Sequence, residues 1–138
     1  MTQEDKELLL KDLCARLPYG VKGIISYNGD KDIFTVKGIF NNILFLSDTE
    51  SCLVEDFKPY LFPLSSMTEE QLFEVQEILG KNEIKIDDGF LRIVDSDRNV
   101  ITYLEILAVL EWFYKNHFDI NDLIPKGLAI DATGLNIY

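Results

Sequence analysis

The chain has 138 residues, of which 47% are hydrophobic, and its 13 basic residues against 24 acidic ones give a net charge of −11. The hydrophobic content argues against a disordered chain, and the length fits one ordinary domain with a real core, so we expect a single domain over residues 1–138. The negative balance disfavours direct binding to the phosphate backbone of nucleic acids and to anionic lipid surfaces.

The first predicted element is a helix that begins after Thr2 and ends before Pro18. Thr2 is a good N-cap, and acidic residues follow in the first turn, where the helix dipole favours negative charge. Pro18 ends the helix because the residue before a proline disfavours helical geometry. One face is apolar, through Leu9, Leu10, Leu13 and Leu17 at helical spacing.

A meander of four short antiparallel strands is predicted next. The pairs Asn28-Gly29 and Asn41-Asn42 supply residues that tolerate the positive φ of tight turns. The uninterrupted apolar run ILFL at 43–46 predicts a central strand that is covered on both faces. The predicted strands fall at residues 21–27, 33–40, 43–47 and 52–56.

The stretch PYLFPLSSMTEEQ, residues 59–71, has the pattern of a helix start rather than of a binding motif. Thr68 and Gln71 have the spacing of a capping box. Pro59 and Pro63 predict an extended connection without ladder donors. We therefore interpret this stretch as scaffold that leads into the second helix.

The rest of the chain predicts a β-hairpin at 83–94 and a third helix that is capped by Thr102 and runs to about His117. This helix is apolar around most of its circumference, which is typical of a helix buried on two sides or in contact with a partner. We expect its surplus apolar stripe to lie under the C-terminal segment around Leu123, Leu128 and Ile130, with a second molecule as the alternative.

Hairpins separated by helices predict the α+β class. The expected architecture is an antiparallel sheet of about five or six short strands packed against two or three helices.

Cys14 and Cys52 lie far apart and among apolar residues. Their spacing matches neither a zinc site nor a disulfide framework, so we expect two buried, free thiols in a reducing compartment. The N-terminal sequence is polar and acidic, unlike a signal peptide, and no apolar run is long enough for a membrane span. We therefore expect a cytoplasmic protein that does not associate with a membrane.

Three blocks of the chain stand out together: LLLKDLCARLPYGV at 8–21, KPYLFPLSSMTEEQ at 58–71 and NHFDINDLIPKGLAI at 116–130. They resemble a family of small uncharacterised proteins that is common in gut bacterial genomes, especially in prophage and other mobile-element regions. The resemblance spans nearly the whole chain, whereas residues 22–57 look individual to this protein. It implies a mobile-element setting and carries no assigned activity, so it transfers no functional residue.

His117 is the only histidine, and Asp119 follows two positions later. A histidine oriented by a carboxylate can serve as a general base. The sequence places no Ser or Cys nucleophile beside it, so we interpret His117 as a capping or packing residue.

Two acidic loops, residues 86–89 and 94–99, contain carboxylates of the kind that bind a hard cation. The second begins like a calcium loop but lacks the glycine at the sixth position and the closing glutamate of an EF-hand. Turn formation by Asp and Asn accounts for both loops. We therefore predict neither a metal site nor a cofactor.

The function predicted from these features is that of a small cytoplasmic accessory protein that acts by binding another protein. The predicted contact is the aromatic end of the third helix, through Trp112, Phe113, Tyr114 and His117. The alternatives are a homo-oligomer, an acidic DNA mimic that inhibits a nucleic-acid enzyme, and a small enzyme or metal-dependent factor that uses His117.

Overall fold

The computed structural model of the chain describes residues 1–27, 29, 31–80, 83–87, 90–94 and 103–138. These residues form helices and strands of the α+β class, which confirms the predicted class. The helices are α1 (Gln3–Arg16), α2 (Glu69–Leu79) and α3 (Tyr103–Lys115). The strands are β1 (Lys22–Ile25), β2 (Phe34–Thr35), β3 (Gly38–Phe40), β4 (Ile43–Phe45), β5 (Ser51–Leu53), β6 (Phe57–Leu61), β7 (Glu83–Asp87), β8 (Phe90–Val94) and β9 (Ile130–Asp131).

The chain divides into two compact units. The first unit comprises Met1–Leu61 and Asn121–Tyr138, and the second unit comprises Phe62–Ile120. Each unit has its own cluster of buried apolar side chains. A single domain over residues 1–138 stays a prediction.

Two sheets make up the β structure of the first unit. A four-stranded mixed sheet has the order β2-β1-β6-β9, and a three-stranded antiparallel sheet has the order β3-β4-β5. The predicted strand at 33–40 is therefore divided between the two sheets. The backbone N–H of Val36 donates to Val21 at 3.0 Å and that of Lys37 donates to Phe45 at 2.7 Å, so the chain changes partner between these two residues.

Strand β6 corrects the interpretation of Pro59 as part of a connection. Strand β1 pairs with β6 from Phe57 to Pro59, and β9 pairs with it from Tyr60 onward. In these ladders only β1 lies beside Pro59, so the other edge of Pro59 is unpaired. Proline has no backbone N–H to donate and is tolerated at such an edge position. Gly23 lies opposite Pro59, and a Cβ at Gly23 would collide with the Phe57 ring.

The first two helices begin as the sequence predicts. The Thr2 hydroxyl accepts from the Asp5 N–H at 3.1 Å, and the Thr68 hydroxyl accepts from the Gln71 N–H at 3.2 Å. The side chains of Asp5 and Gln71 accept in return from the backbone N–H of their caps, which completes both capping boxes. Among the predicted features, the turn residue Asn28 and the cap Thr102 fall on residues outside those described.

The core of the first unit contains a buried ion pair. Arg16 donates from Nε to Asp12 Oδ2 at 2.6 Å and from Nη2 to Asp12 Oδ1 at 3.1 Å, and both side chains are 0% exposed. Asn121 Nδ2 donates to Asp12 Oδ1 at 2.8 Å. The network therefore connects α1 with the C-terminal segment of the same unit.

The C-terminal segment completes the core of the first unit. Leu123 and Leu128 belong to the buried cluster that contains Leu9 and Leu13 of α1. Cover of the surplus stripe of α3 by this segment stays a prediction. The exposed apolar residues of α3 are Leu104, Ile106 and Leu107.

Candidate functional site

Two of the residues predicted as a contact surface, Trp112 and Phe113, pack against other side chains of the second unit. Phe113 is fully buried, and Trp112 Nε1 donates to Glu74 Oε2 of α2 at 3.1 Å. The Trp112 ring is stacked on Phe118, with centroids 5.7 Å apart and planes 10° from parallel, and meets Phe113 edge-on. These contacts give Trp112 and Phe113 packing roles. Contact of the half-buried Trp112 and Tyr114 with a partner stays a prediction.

His117 occupies the left-handed position that ends α3, with a φ of 64°. Its N–H donates to the Tyr114 carbonyl at 3.2 Å, and the Phe118 N–H donates to the Phe113 carbonyl at 3.0 Å. These are the two hydrogen bonds of a Schellman motif. The Phe113 and Phe118 rings meet edge to face at 6.2 Å, which is the apolar contact that accompanies such a motif. The backbone of His117 therefore caps α3.

Replacing His117 by glycine is expected to keep or raise stability, by up to about 1 kcal/mol, because glycine adopts the left-handed conformation without steric cost. Replacing it by valine is expected to lower stability by more than about 1 kcal/mol, because a β-branched residue is strained there. Urea unfolding of the two variants beside the wild type checks this. A larger loss for His117→Gly than for His117→Val would mean that the position needs the imidazole rather than the backbone conformation.

Within the part of the chain that the structure describes, no group of three or more His, Cys, Asp or Glu side chains is placed to hold a metal ion. The acidic loops at 86–89 and 94–99 fall largely outside that part, so their interpretation as turns stays a prediction. Asp119 is buried, and its backbone N–H donates to the Phe62 carbonyl at 2.8 Å. A general-base role for His117 with Asp119 also stays a prediction.

The outer face of the β3-β4-β5 sheet exposes neighbouring apolar side chains. Phe40 pairs with Ile43, and Ile43 pairs with Leu53, so these three residues stand side by side across the strands. Phe45 lies two residues further along β4 and projects from the same side. We call these four side chains the apolar face. Their exposed fractions are 66% for Phe40, 37% for Ile43, 42% for Phe45 and 45% for Leu53.

The opposite side of the same sheet is part of the core of the first unit. Leu44 and Cys52 pair across β4 and β5, and both belong to the buried cluster. Ile39 packs against that cluster. The run at 43–46 is therefore covered on one side only, and the prediction of a strand covered on both faces is wrong.

The two cysteines differ in their surroundings, because Cys52 is buried and Cys14 is exposed. The exposure of Cys14 corrects the expectation of two buried thiols. Burial raises the pKa of the Cys52 thiol from 9.0 to about 11, and the Asp56 carboxylate adds to the shift. Since the folded-state pKa is the higher one, the contribution of Cys52 to stability is complete below a pH of about 9 and is lost as the pH rises toward about 11.

At a pH of about 8 we expect iodoacetamide to label Cys14 in the folded protein and Cys52 only after denaturation, because the thiolate is the reactive form. Intact-mass analysis before and after denaturation checks this, and Cys14→Ser isolates the signal of Cys52. Rapid labelling of Cys52 in the folded Cys14→Ser chain would show that this side of the sheet is open to solvent.

Negative charge borders the apolar face at the turn between β4 and β5. Asp48 and Glu50 of this turn are exposed, and Ser47 Oγ fixes the turn by accepting the Glu50 N–H at 3.0 Å. Residues 38–53 contain no Lys or Arg. The surface is therefore apolar at its centre and acidic at one edge. A cleft of about 670 Å³ opens beside it, lined by Lys37, Gly38, Phe45, Ser47 and Asp48.

Sequence reasoning missed the apolar face, although a signal for it was present. A strand with one buried side needs an apolar residue at every second position. The run at 43–46 is apolar at every position, and Phe40 and Leu53 flank it. Such a surplus can be covered from a second layer of the same fold or from another molecule, and only the tertiary structure distinguishes the two.

Comparison of the chain with protein-family models, with curated proteins and with solved structures found no match in any of the three. Among the described residues, no helix combines the length and the apolar character needed to span a membrane.

Proposed function

We propose that the chain is a small protein-binding module and that the apolar face is its contact surface. The observation that carries the proposal is the strand register that aligns Phe40, Ile43 and Leu53 across one exposed sheet surface, with Phe45 beside them. Contiguous exposed apolar patches of a few hundred Å² on soluble proteins are often interaction sites. Aromatic side chains at the centre and polar residues at the rim are also the usual composition of an interface.

The energy available from the apolar face indicates what kind of interface it would form. Full burial of a Phe, Ile or Leu side chain is worth about 1.5–3 kcal/mol, so four half-exposed ones would contribute on the order of 4 kcal/mol. Association itself costs about 4–15 kcal/mol in lost freedom of motion. The apolar face would therefore be the centre of the interface, and polar or charged contacts around it would have to supply the rest.

The setting that fits this role is that of a cytoplasmic accessory protein of phage or mobile-element origin. The three sequence blocks that resemble mobile-element proteins support the setting. The free cysteines support a reducing compartment such as the cytoplasm.

Affinity capture from a lysate of the native host tests the proposal, with three forms of the chain compared side by side. These are the wild type, Phe40→Ser with Phe45→Ser, and the control Phe73→Ser. Phe73 is a similarly exposed phenylalanine on α2 of the second unit. A protein retained by the wild type and by the control should be lost from the double variant. Retention of every captured protein by a correctly folded double variant would contradict the proposal.

The net charge of −11 supports a second candidate function, that of an acidic DNA mimic which occupies the basic groove of a nucleic-acid enzyme. A partner held in this way should be displaced by duplex DNA and released at high salt. Loss of the partner under those conditions, together with full retention by the Phe40→Ser, Phe45→Ser variant, would favour the mimic over the apolar face.

A further inference from the structure

We infer that the occupant of the apolar face is a basic amphipathic helix of another protein. This inference rests on the proposed function and deepens it by naming the chemistry of the partner. The inference is supported by the dimensions of the β3-β4-β5 sheet, by its one open side and by the charge at its edge.

The dimensions of the apolar face match those of one α-helix. Neighbouring strands lie about 4.8 Å apart, so the outer strands of the three-stranded sheet are about 10 Å apart. An α-helix with its side chains is about 10–12 Å wide. The strands β3, β4 and β5 have 3 residues each. Such a strand is about 10 Å long, which corresponds to about two turns of helix.

The number of side chains in the apolar face also matches the number that such a helix presents. About two turns of an amphipathic helix present three or four apolar side chains along one stripe, at positions i, i+3, i+4 and i+7. The apolar face offers Phe40, Ile43, Phe45 and Leu53 to meet them. Because the other side of the sheet already carries Leu44 and Cys52 of the core, one further layer completes the burial of the sheet.

Charge determines which kind of helix fits. The turn between β4 and β5 exposes Asp48 and Glu50 at the edge of the apolar face, and residues 38–53 contain no Lys or Arg. Lys37 also lines the adjoining cleft, so these three side chains together carry one net negative charge. Lys or Arg residues beside the apolar stripe of a partner helix would face this edge and supply charged contacts that the apolar side chains cannot. The net charge of −11 would also attract such a helix from a distance.

The same charges argue against a second copy as the occupant. Two chains that each carry a net charge of −11 repel each other, and a face-to-face dimer would gather Asp48 and Glu50 of both copies at the rim of one small interface. Four half-exposed side chains offer on the order of 400 Å² per copy. Stable interfaces bury about 1,200–2,000 Å² in total, so the apolar face alone falls short of what a dimer needs.

Two synthetic helical peptides provide defined probes for the intact chain. Both carry Leu at i, i+3, i+4 and i+7, and the remaining positions are Lys in one peptide and Glu in the other. We expect the Lys peptide to bind at least about tenfold more tightly than the Glu peptide. Phe40→Ser with Phe45→Ser should weaken binding of the Lys peptide at least about tenfold, and Asp48→Asn with Glu50→Gln should weaken it several-fold. The control Phe73→Ser should bind like the wild type.

Four results would overturn the inference, each for a different reason. If the Phe variant loses binding while Asp48→Asn with Glu50→Gln binds like the wild type, the apolar face is an interface but its partner is not basic. If the Phe variant binds the Lys peptide as tightly as the wild type, attraction is by overall charge, and both the inference and this use of the apolar face fail. If neither peptide binds the wild type, the inference fails. If sedimentation shows a wild-type dimer that the Phe variant loses, the occupant is a second copy.

Discussion

Truncation of the chain after Ile120 is expected to unfold the first unit. The truncation removes Leu123 and Leu128 from the cluster that α1 and the sheets complete. Loss of one buried leucine costs about 2–5 kcal/mol, and two such losses approach the about 5–15 kcal/mol that stabilises a typical domain. Strand β9, which pairs in parallel with β6, is lost as well.

The truncation also removes an anchor at the end of the segment. The Tyr138 hydroxyl donates to the Tyr60 carbonyl at 2.7 Å and accepts the Lys22 N–H at 3.0 Å. Burial of this hydroxyl raises the pKa of Tyr138 to about 12. Without Tyr138, backbone groups of β1 and β6 lose these partners, which adds to the cost of losing the apolar contacts.

Hydrogen exchange and circular dichroism of the truncated chain measure the effect. In the intact chain, Leu123→Ala and Leu135→Ala form a matched pair, because Leu123 is fully buried and Leu135 is about half exposed. Leu123→Ala should lower the free energy of unfolding by about 2–5 kcal/mol, and Leu135→Ala should lower it by less than about 1 kcal/mol. Slow hydrogen exchange in α1 and β6 of the truncated chain would refute the role given to the C-terminal segment.

Replacement of Asp12 by alanine is expected to cost about 3–5 kcal/mol, because it leaves the buried Arg16 guanidinium without its carboxylate. The Asn121 amide loses an acceptor at the same time. Replacement of both members by apolar residues, as Asp12→Leu with Arg16→Met, is expected to cost much less, since no uncompensated charge then remains. The large loss of stability is therefore expected when one charge is left buried without its partner, and not when both charges are replaced.

The partly exposed pair of Lys6 and Glu55 is the matched control, with Nζ and Oε1 3.2 Å apart. Glu55→Gln should cost less than about 1 kcal/mol, because water screens an ion pair at the surface. Urea unfolding of the wild type, the Asp12 and Arg16 variants and this control measures the difference. Similar costs for Asp12→Ala and Glu55→Gln would mean that the Asp12–Arg16 pair is not buried in solution.

The helix starts could be predicted from sequence because their determinants are local. Thr2 with Asp5 and Thr68 with Gln71 form hydrogen bonds three residues apart, so the spacing alone carries the information. The end of α1 ahead of Pro18 is local in the same way. Such features depend little on the rest of the fold.

The division of residues 33–40 between two sheets could not be predicted in this way. Val36 bonds to Val21 and Lys37 bonds to Phe45, so the break depends on two partners that lie on opposite sides in the sequence. Alternation along a strand indicates which residues share a face, but it does not identify the neighbouring strand. The pairing of β6 with β9 was missed for the same reason.

The candidate site was partly visible in the sequence as a surplus of apolar residues. The run at 43–46 and the helix around Trp112 both carry more apolar side chains than one buried face requires. In the second unit Trp112 is engaged by Phe118 and by Glu74, which is distant in sequence, so its packing could not be inferred from helical spacing. In the first unit the surplus apolar side chains form the apolar face, which is exposed.

The most direct test of the central claim is a nuclear magnetic resonance titration of the isotope-labelled intact chain with the Leu/Lys helical peptide. Binding of this peptide to the apolar face is expected to shift the backbone amide signals in β3, β4 and β5, centred on Phe40, Ile43 and Phe45. Signals around Trp112 on α3 should stay in place. Shifts confined to the helices of the second unit, with the β3-β4-β5 sheet unaffected, would contradict the account and return the site to the aromatic end of α3.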